Sequence, residues 1–157
     1  MRRGFAPYLI AATALAFATG AHAAEQPFSV AITTAISTIK SGAEIDIFVT
    51  WTNTTDHRLS FAVGGACGDR IHVDVKSAAG LKARKIAYAD GFTSCAIGEM
   101  TSVEPGATAK EPIGRIANRI YDMAQPGKYY IRVRGSQKLD NREYTEYSNV
   151  LAVTVTR

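Results

Sequence analysis

The sequence is poor in the residues that enzymes and redox proteins need. It has two cysteines, three histidines and one tryptophan in 157 residues. His22 lies in an N-terminal segment that we expect to be removed, so His57 and His72 are the bases available to a catalytic triad. No GxSxG, HExxH or phosphate-loop motif accompanies them. The sequence therefore predicts a protein that is not an enzyme and that uses no cofactor.

The candidate metal ligands are few and scattered. His57, His72, Met100 and Met123 stand in four separate segments, and lone histidines on strands are usually surface residues rather than ligands. Copper is the least unfavourable ion, because methionine sulfur is a soft ligand. The expectation is that the chain holds no metal.

The acidic residues and the single glycosylation pattern carry little information about function. Glu99, Glu104 and Glu111 fall on predicted turns, where we expect them to be solvated surface residues. Asn53-Thr54-Thr55 fits the acceptor pattern for N-glycosylation, but it ends a predicted strand in a polar turn. We interpret it as turn chemistry.

A long apolar run occurs only near the N-terminus. Arg2 and Arg3 precede an apolar stretch over residues 5–19, and Ala21-His22-Ala23 follows with the small-x-small pattern of a signal-peptidase site. The run is shorter than the ~20 residues that a membrane-spanning helix needs. We expect a signal peptide over residues 1–23 and one mature domain over residues 24–157, periplasmic or secreted and not inserted in the membrane.

The charge of the mature chain is small. The formal net charge is +4, and it falls by two when Arg2 and Arg3 leave with the signal peptide. A nucleic-acid-binding domain usually carries a dominant basic face or stripe. The composition therefore argues against a nucleic-acid partner.

The two cysteines, Cys67 and Cys95, form an even pair in a chain that we expect to be exported. Oxidation is the usual outcome in that compartment, so the sequence predicts a disulfide between them. The alternative, two thiols that hold a metal or act in redox chemistry, lacks a CxxC spacing.

Short runs with a period of two recur from Pro27 onward, separated by Gly, Pro, Asn or Asp. The clearest is residues 44–52, which places Ile47, Val49 and Trp51 on one face. Further strands are predicted over residues 28–36, 58–63, 70–76, 85–89, 101–103, 107–113, 128–135 and 146–156, with a polar loop over residues 136–142. No helical period is sustained. The pattern predicts an all-β chain, an antiparallel β-sandwich of about seven to nine strands.

Residues 117–133 resemble a recurring signature of immunoglobulin-like accessory domains in bacterial exported proteins. The signature combines Tyr121-Asp122, Pro126-Gly127 and a Gly-x-Tyr-x-hydrophobic strand before the last hairpin. The resemblance implies an immunoglobulin-like sandwich, in which Tyr129 is the tyrosine-corner residue and bonds backbone upstream. Ile131 stands where antibody domains have a cysteine, so their inter-sheet disulfide is not expected. Such a layout implies a fold and not an activity.

A basic and aromatic set of side chains near the last hairpin is the best candidate for a binding site. Arginine and tyrosine are enriched where proteins meet partners. The set is Tyr130, Arg132, Arg134 and Arg142. The alternative is an ordinary soluble surface, in which Asp140, Glu143 and Glu146 pair with these arginines. We expect a module that binds another envelope or extracellular protein.

Two other functions remain open at this point. A protease inhibitor could present residues 64–69 or 92–98 as a loop stapled by the disulfide, because preorganised loops lose less entropy on binding. A glycan or small-ligand binder would need exposed aromatic side chains to form one platform. The candidates for that platform are Phe48, Tyr88, Phe92 and Tyr130.

Overall fold

The computed structural model describes residues 26–64, 70–84, 98–115 and 121–157, with the side chains of residues 114 and 115 left aside. Within these ranges the chain is all-β, as the sequence predicts, and has no helix long and apolar enough to cross a membrane. The described residues form ten strands, at least one more than expected. They are β1 (Phe28–Thr33), β2 (Thr38–Lys40), β3 (Asp46–Asn53), β4 (Leu59–Val63), β5 (Ile71–Ser77), β6 (Glu99–Val103), β7 (Thr108–Arg115), β8 (Gly127–Leu139), β9 (Arg142–Tyr147) and β10 (Leu151–Thr156).

The strands form three sheets. One has the order β1-β3-β7, and a second has the order β2-β10-β8-β5 with β9 also paired to β8. The third is the pair β4-β6. Every pairing is antiparallel except that of β2 with β10, which is parallel.

Strand β3 provides the centre of the hydrophobic core. Ile47, Val49 and Trp51 are fully buried, which confirms the alternation read from the sequence. The Trp51 ring meets the Phe28 ring edge-on, with the two centroids 5.5 Å apart, and Phe28 meets Phe61 in the same way at 5.9 Å. Each such buried side chain contributes roughly 1.5–3 kcal/mol. These contacts join the β4-β6 pair to the three-stranded sheet.

The five-stranded sheet packs against this core at Gly135. A Cβ atom at this position of β8 would lie 2.5 Å from Cη2 of Trp51, far inside van der Waals contact. Because glycine has no side chain, the Trp51 ring can occupy the space where a Cβ atom would lie. The close approach of β8 to β3 depends on a glycine here.

The predicted loop over residues 136–142 is wrong. Strand β8 continues to Leu139, and β9 returns beside it through a two-residue turn at Asp140 and Asn141. Both turn residues have positive φ, 47° and 63°, which suits the twist of a tight hairpin and which Asp and Asn tolerate. The segment is polar and still a strand, because Ser136 and Gln137 are buried with their side chains bonded to Thr145 Oγ1 and to the backbone of Ala62.

The last strand is split instead of continuous. Ser148 takes both polar groups of Val133: its N–H donates to the Val133 carbonyl, and its Oγ accepts from the Val133 N–H, each at 2.9 Å. Beside it, the Asn149 amide bonds both the N–H and the C=O of Ile32, at 2.8 and 3.2 Å. Asn149 thus occupies hydrogen-bonding groups on the outer edge of β1.

Several predictions lie outside the described residues. These are the signal peptide, Cys67 and Cys95 with their disulfide, the strand over residues 85–89 and the first residues of the signature over 117–133. They remain predictions.

Candidate functional site

The outer face of the five-stranded sheet carries most of the predicted binding residues. Along β8, Tyr129, Ile131 and Val133 are buried, so the residues between them point outward. The strand register sets outward residues of β5, β9 and β10 beside them. We call this set the β8 face; it consists of Tyr130, Arg132 and Arg134 with His72, Asp74, Lys76, Tyr147 and Ala152.

Arg132 is held in place but only partly bonded. Its Nε donates to the Ser148 carbonyl at 3.2 Å, and its guanidinium carbon lies 4.5 Å from the centroid of the Tyr147 ring. Stacking of this kind stabilises by about 0.5–1 kcal/mol at an exposed site. Both Nη atoms lack a hydrogen-bond partner within the described part of the chain. The end of the side chain is therefore oriented and still available as a donor.

Arg134 lies beside Arg132, two residues along the same strand. Its Nε is buried and has no hydrogen-bond partner among the described residues. Its cross-strand neighbours are His72 on β5 and Tyr147 on β9, and neither is an acid. Unpaired polar groups of this kind are uncommon in native proteins, so Arg134 stands out as a donor without an acceptor.

The acids of the last hairpin do not neutralise these arginines. In the described residues, no ion pair joins Asp140, Glu143 or Glu146 to Arg132 or Arg134. The register places Glu146 opposite Gly135 and Glu143 opposite Lys138. Glu143 therefore lies across from Lys138 and not from Arg132 or Arg134.

Arg142, the fourth predicted binding residue, is not part of the β8 face. It pairs with Leu139, which belongs to the inward series of β8, so the register directs it to the opposite side of the hairpin. Because Arg142 directly follows the turn, its inclusion in the predicted set depended on the wrong loop assignment.

The β8 face has an excess of positive charge. Asp74 is its one acid within the described residues, and the Lys82 Nζ and His72 Nε2 atoms both lie 3.9 Å from Asp74 Oδ1. The backbone of Lys82 forms an isolated antiparallel β-bridge with Lys76 near the end of β5. This pairing brings a further cation to this side of the sheet. Tyr130 and Tyr147 remain 40% and 48% exposed between these charges.

A second cluster, which the sequence did not predict, lies in the interior. Glu111 is 3% exposed on β7, so its assignment to a solvated turn is wrong. Its Oε1 accepts from Trp51 Nε1 at 2.6 Å and from Arg70 Nη1 at 2.7 Å. Its Oε2 accepts from the Gly64 N–H and from Arg70 Nη2 at 3.0 Å. The period-two pattern around Ala109 and Glu111 was the available signal for an inward carboxylate.

Arg70 uses both of its Nη atoms within the protein. Besides Glu111, its guanidinium donates to the carbonyls of Ala62 and Gly64, and it lies 5.8 Å from the Trp51 ring centroid. An ion pair whose carboxylate is buried and whose oxygens and Nη atoms are bonded within the protein anchors structure. We therefore assign this cluster to the fold.

A groove of about 400 Å³ opens beside this cluster, between β4-β6 and the β8-β9 hairpin. At its base, the Gln137 side chain bonds both the N–H and the C=O of Ala62, at 3.1 and 2.9 Å. The groove is lined by Ala62, Arg70, Met100, Ser136, Gln137, Lys138 and Glu143. Its deepest polar groups, on Arg70 and Gln137, are already used within the protein.

Tyr129 lies near the start of β8. Its hydroxyl donates to the Gln125 carbonyl, four residues upstream, at 2.9 Å. Burial raises the pKa of this hydroxyl above its ordinary value, and the Asp122 carboxylate raises it further. Burial likewise raises the pKa of Tyr121, whose hydroxyl donates to the Val73 carbonyl.

The remaining candidate ligands do not share a location. Met123 is 1% exposed in the core, whereas Met100 is 65% exposed on β6. His57 Nδ1 lies 3.0 Å from its neighbour Asp56, and His72 belongs to the β8 face. Within the described ranges, no three His, Cys, Asp or Glu side chains are grouped to hold a metal.

The proposed glycan platform is divided by the fold. Phe48 lies on β3 of the three-stranded sheet, where Lys110 Nζ sits 4.6 Å from its ring centroid, while Tyr130 lies on the five-stranded sheet. Tyr88 and Phe92 are outside the described residues, as are most residues of both candidate inhibitor loops. Asn53 is fully buried, and its Nδ2 donates to the carbonyls of His57 and Val103 at 2.8 and 2.9 Å, in keeping with turn chemistry.

Comparison with known proteins does not assign a function. No known protein family and no curated protein matches the sequence. A Northeast Structural Genomics Consortium target is similar in structure, with a TM-score of 0.47 and 10% identity over 82% of this chain and 87% of the other. The Pseudomonas fluorescens alkylpurine DNA glycosylase AlkC has a TM-score of 0.41 and 11% identity, over 84% of this chain and 31% of the other. A β-glucosidase from Erythrobacter marinus has a TM-score of 0.36 and 16% identity, over 79% of this chain and 16% of the other. Likenesses this weak carry no argument about activity.

Proposed function

We propose that this chain is a non-catalytic exported module that binds another envelope or extracellular protein through the β8 face. One observation carries the proposal: Arg132 and Arg134 point outward beside exposed tyrosines and have donor groups without acceptors among the described residues. Neither arginine has an ion-pair partner there. A partner that supplies carboxylate acceptors would pair with both arginines.

The composition of the face agrees with binding energetics. Tyrosine and arginine dominate the residues whose truncation costs most in protein interfaces. Arg132 is already oriented by Tyr147 and Ser148, so binding costs less of the side-chain entropy that would otherwise oppose it. A flat, one-sided sheet face with these residues suits a protein surface better than a small molecule.

The immunoglobulin-like architecture is part of the same proposal. The order β1-β3-β7 in one sheet and β10-β8-β5 in the other supports it, as does the parallel pairing of β2 with β10. The Tyr129 hydroxyl bonds upstream backbone, which is the arrangement of a tyrosine corner. Sandwiches of this kind commonly serve as interaction modules, although the fold alone does not fix a function.

The test is capture of cell-envelope proteins on immobilised residues 24–157, followed by reconstitution with the purified partner. Arg132→Glu with Arg134→Glu should abolish the interaction. The matched control is Lys110→Glu with Arg142→Glu, which changes the net charge equally but lies away from the β8 face; it should keep the partner. Equal loss in both variants would show that only total charge matters, and retention in both would remove the β8 face as the binding surface.

A further inference from the structure

We propose that the β8 face recognises an extended acidic peptide segment whose carboxylates stand at alternate positions, as in Glu-x-Glu or Asp-x-Asp. The inference rests on the proposed function, because it concerns the same face. It adds the chemistry and the spacing of the partner.

The spacing follows from the backbone of β8. Arg132 and Arg134 are two residues apart on one strand, so both side chains leave the same face about 6.5–7 Å apart. An extended peptide repeats its side chains with the same period. Two carboxylates at positions i and i+2 of such a segment can therefore meet the two guanidinium groups in register, while the residue between them points away.

The donors suit carboxylates in particular. A guanidinium group presents its N–H donors in a planar fork that matches a carboxylate, and such charge-assisted pairs are stronger than neutral hydrogen bonds. Arg132 keeps both Nη atoms unbonded among the described residues, because only its Nε is used, by Ser148. The Arg134 Nε atom has no hydrogen-bond partner, and the guanidinium forms no ion pair, within the described part of the chain.

The charge around the two arginines also favours an acidic occupant. Lys76 and Lys82 lie on the same side of the sheet, whereas Asp74, the one acid of the β8 face within the described residues, already has Lys82 and His72 within 3.9 Å. Glu143 is also on this side, but it stands opposite Lys138. Two arginines two residues apart repel each other, and an incoming anion removes that repulsion. The exposed rings of Tyr130 and Tyr147 flank the pair and can cover the aliphatic parts of the bound segment.

The experiment uses residues 24–157 and two fluorescein-labelled peptides of identical composition. One contains Thr-Glu-Thr-Glu-Thr, and the other contains the same residues with the two glutamates adjacent. Binding is measured by fluorescence anisotropy at low salt, and polygalacturonate serves as an unlabelled competitor against the same probe. We expect the alternating peptide to bind about tenfold more tightly than its isomer, since one bidentate pair is lost when the spacing is wrong.

Variants locate the effect. Arg132→Gln and Arg134→Gln should each weaken binding of the alternating peptide about tenfold, and Arg142→Gln should leave it unchanged. Thermal unfolding of each variant checks that the fold is retained. Equal binding of the two isomers, absence of binding, or tighter competition by polygalacturonate than by unlabelled alternating peptide would each overturn the inference. The two proposals can also be separated. If a native partner needs Arg132 and Arg134 but the protein shows no preference between the two peptides, the proposed function stands and the preference for alternating carboxylates is rejected.

Discussion

Arginine is used in two opposite ways in this protein. Arg70, beside the core, directs both Nη atoms at acceptors: the two oxygens of Glu111 and the carbonyls of Ala62 and Gly64. Arg132 and Arg134, on the outer face of the other sheet, have no carboxylate partner in the described residues. The residue type is the same, but one environment supplies acceptors for both Nη atoms, whereas the other supplies no carboxylate within the described residues.

The difference separates stability from binding. Removing a group from a saturated buried cluster leaves its partners unpaired in a medium that solvates them poorly, so the fold should suffer. Arg132 and Arg134 make no ion pair within the described residues, so removing either one leaves no carboxylate there without its partner. The two regions should therefore respond to substitution in opposite ways, and the following changes test that contrast.

The largest effect is expected from Glu111→Ala. The change leaves Trp51 Nε1, the Gly64 N–H and the Arg70 guanidinium without their common acceptor, and loss of one member of a buried ion pair costs about 3–5 kcal/mol. Urea unfolding followed by tryptophan fluorescence measures the loss. Glu111→Gln, which keeps an acceptor for Trp51, should lose less. A cost below about 1 kcal/mol for the alanine variant would mean that the cluster is not structural.

Gly135→Ala should be the next most damaging change. The added Cβ would lie 2.5 Å from Cη2 of the buried Trp51 ring, and overpacking of this kind typically costs about 1–3 kcal/mol. Calorimetric unfolding should show the loss. The control is the same change with Trp51→Phe, since a smaller ring relieves the contact; an unchanged cost in that background would contradict the packing argument.

The core of this fold could be read from the sequence because burial follows a simple period. Ile47, Val49 and Trp51 alternate with polar residues, and one face of a half-buried strand requires just that pattern. The outward placement of Arg132 followed from the same alternation along β8. Local pattern was sufficient wherever a strand buries apolar side chains on one side.

The features that the sequence did not predict depend on polar partners far along the chain. Glu111 is buried because Arg70 and Trp51, 41 and 60 residues away, satisfy it. The polar β8-β9 hairpin lacks the apolar alternation that marks a strand, and its turn depends on the conformations of Asp140 and Asn141. A single sequence does not contain the distances that make these pairings visible.

Tyr129→Phe should have a moderate effect that depends on pH. At neutral pH, loss of the hydrogen bond to Gln125 should cost about 0.5–1.5 kcal/mol. Burial, aided by Asp122, raises the pKa of the folded-state hydroxyl, so its contribution is complete below the unfolded pKa of about 10 and is lost as the pH rises through the folded value. The variant should lose less stability than the parent above pH ~10. Tyr130→Phe, at an exposed position, is the control and should follow the parent in unfolding measurements at each pH.

The smallest effect on stability is expected from Arg132→Gln and Arg134→Gln. Since neither side chain has an ion-pair partner in the described residues, each change should alter the free energy of unfolding by less than about 0.5 kcal/mol, apart from the stacking of Arg132 on Tyr147. Urea unfolding of the two variants, beside Glu111→Ala, provides the direct comparison. A loss at Arg134 comparable to that at Glu111 would mean that its buried Nε is part of the fold and not a donor kept for a partner. A small loss joined to weakened binding would identify the β8 face as a surface whose arginines act mainly on something outside the chain.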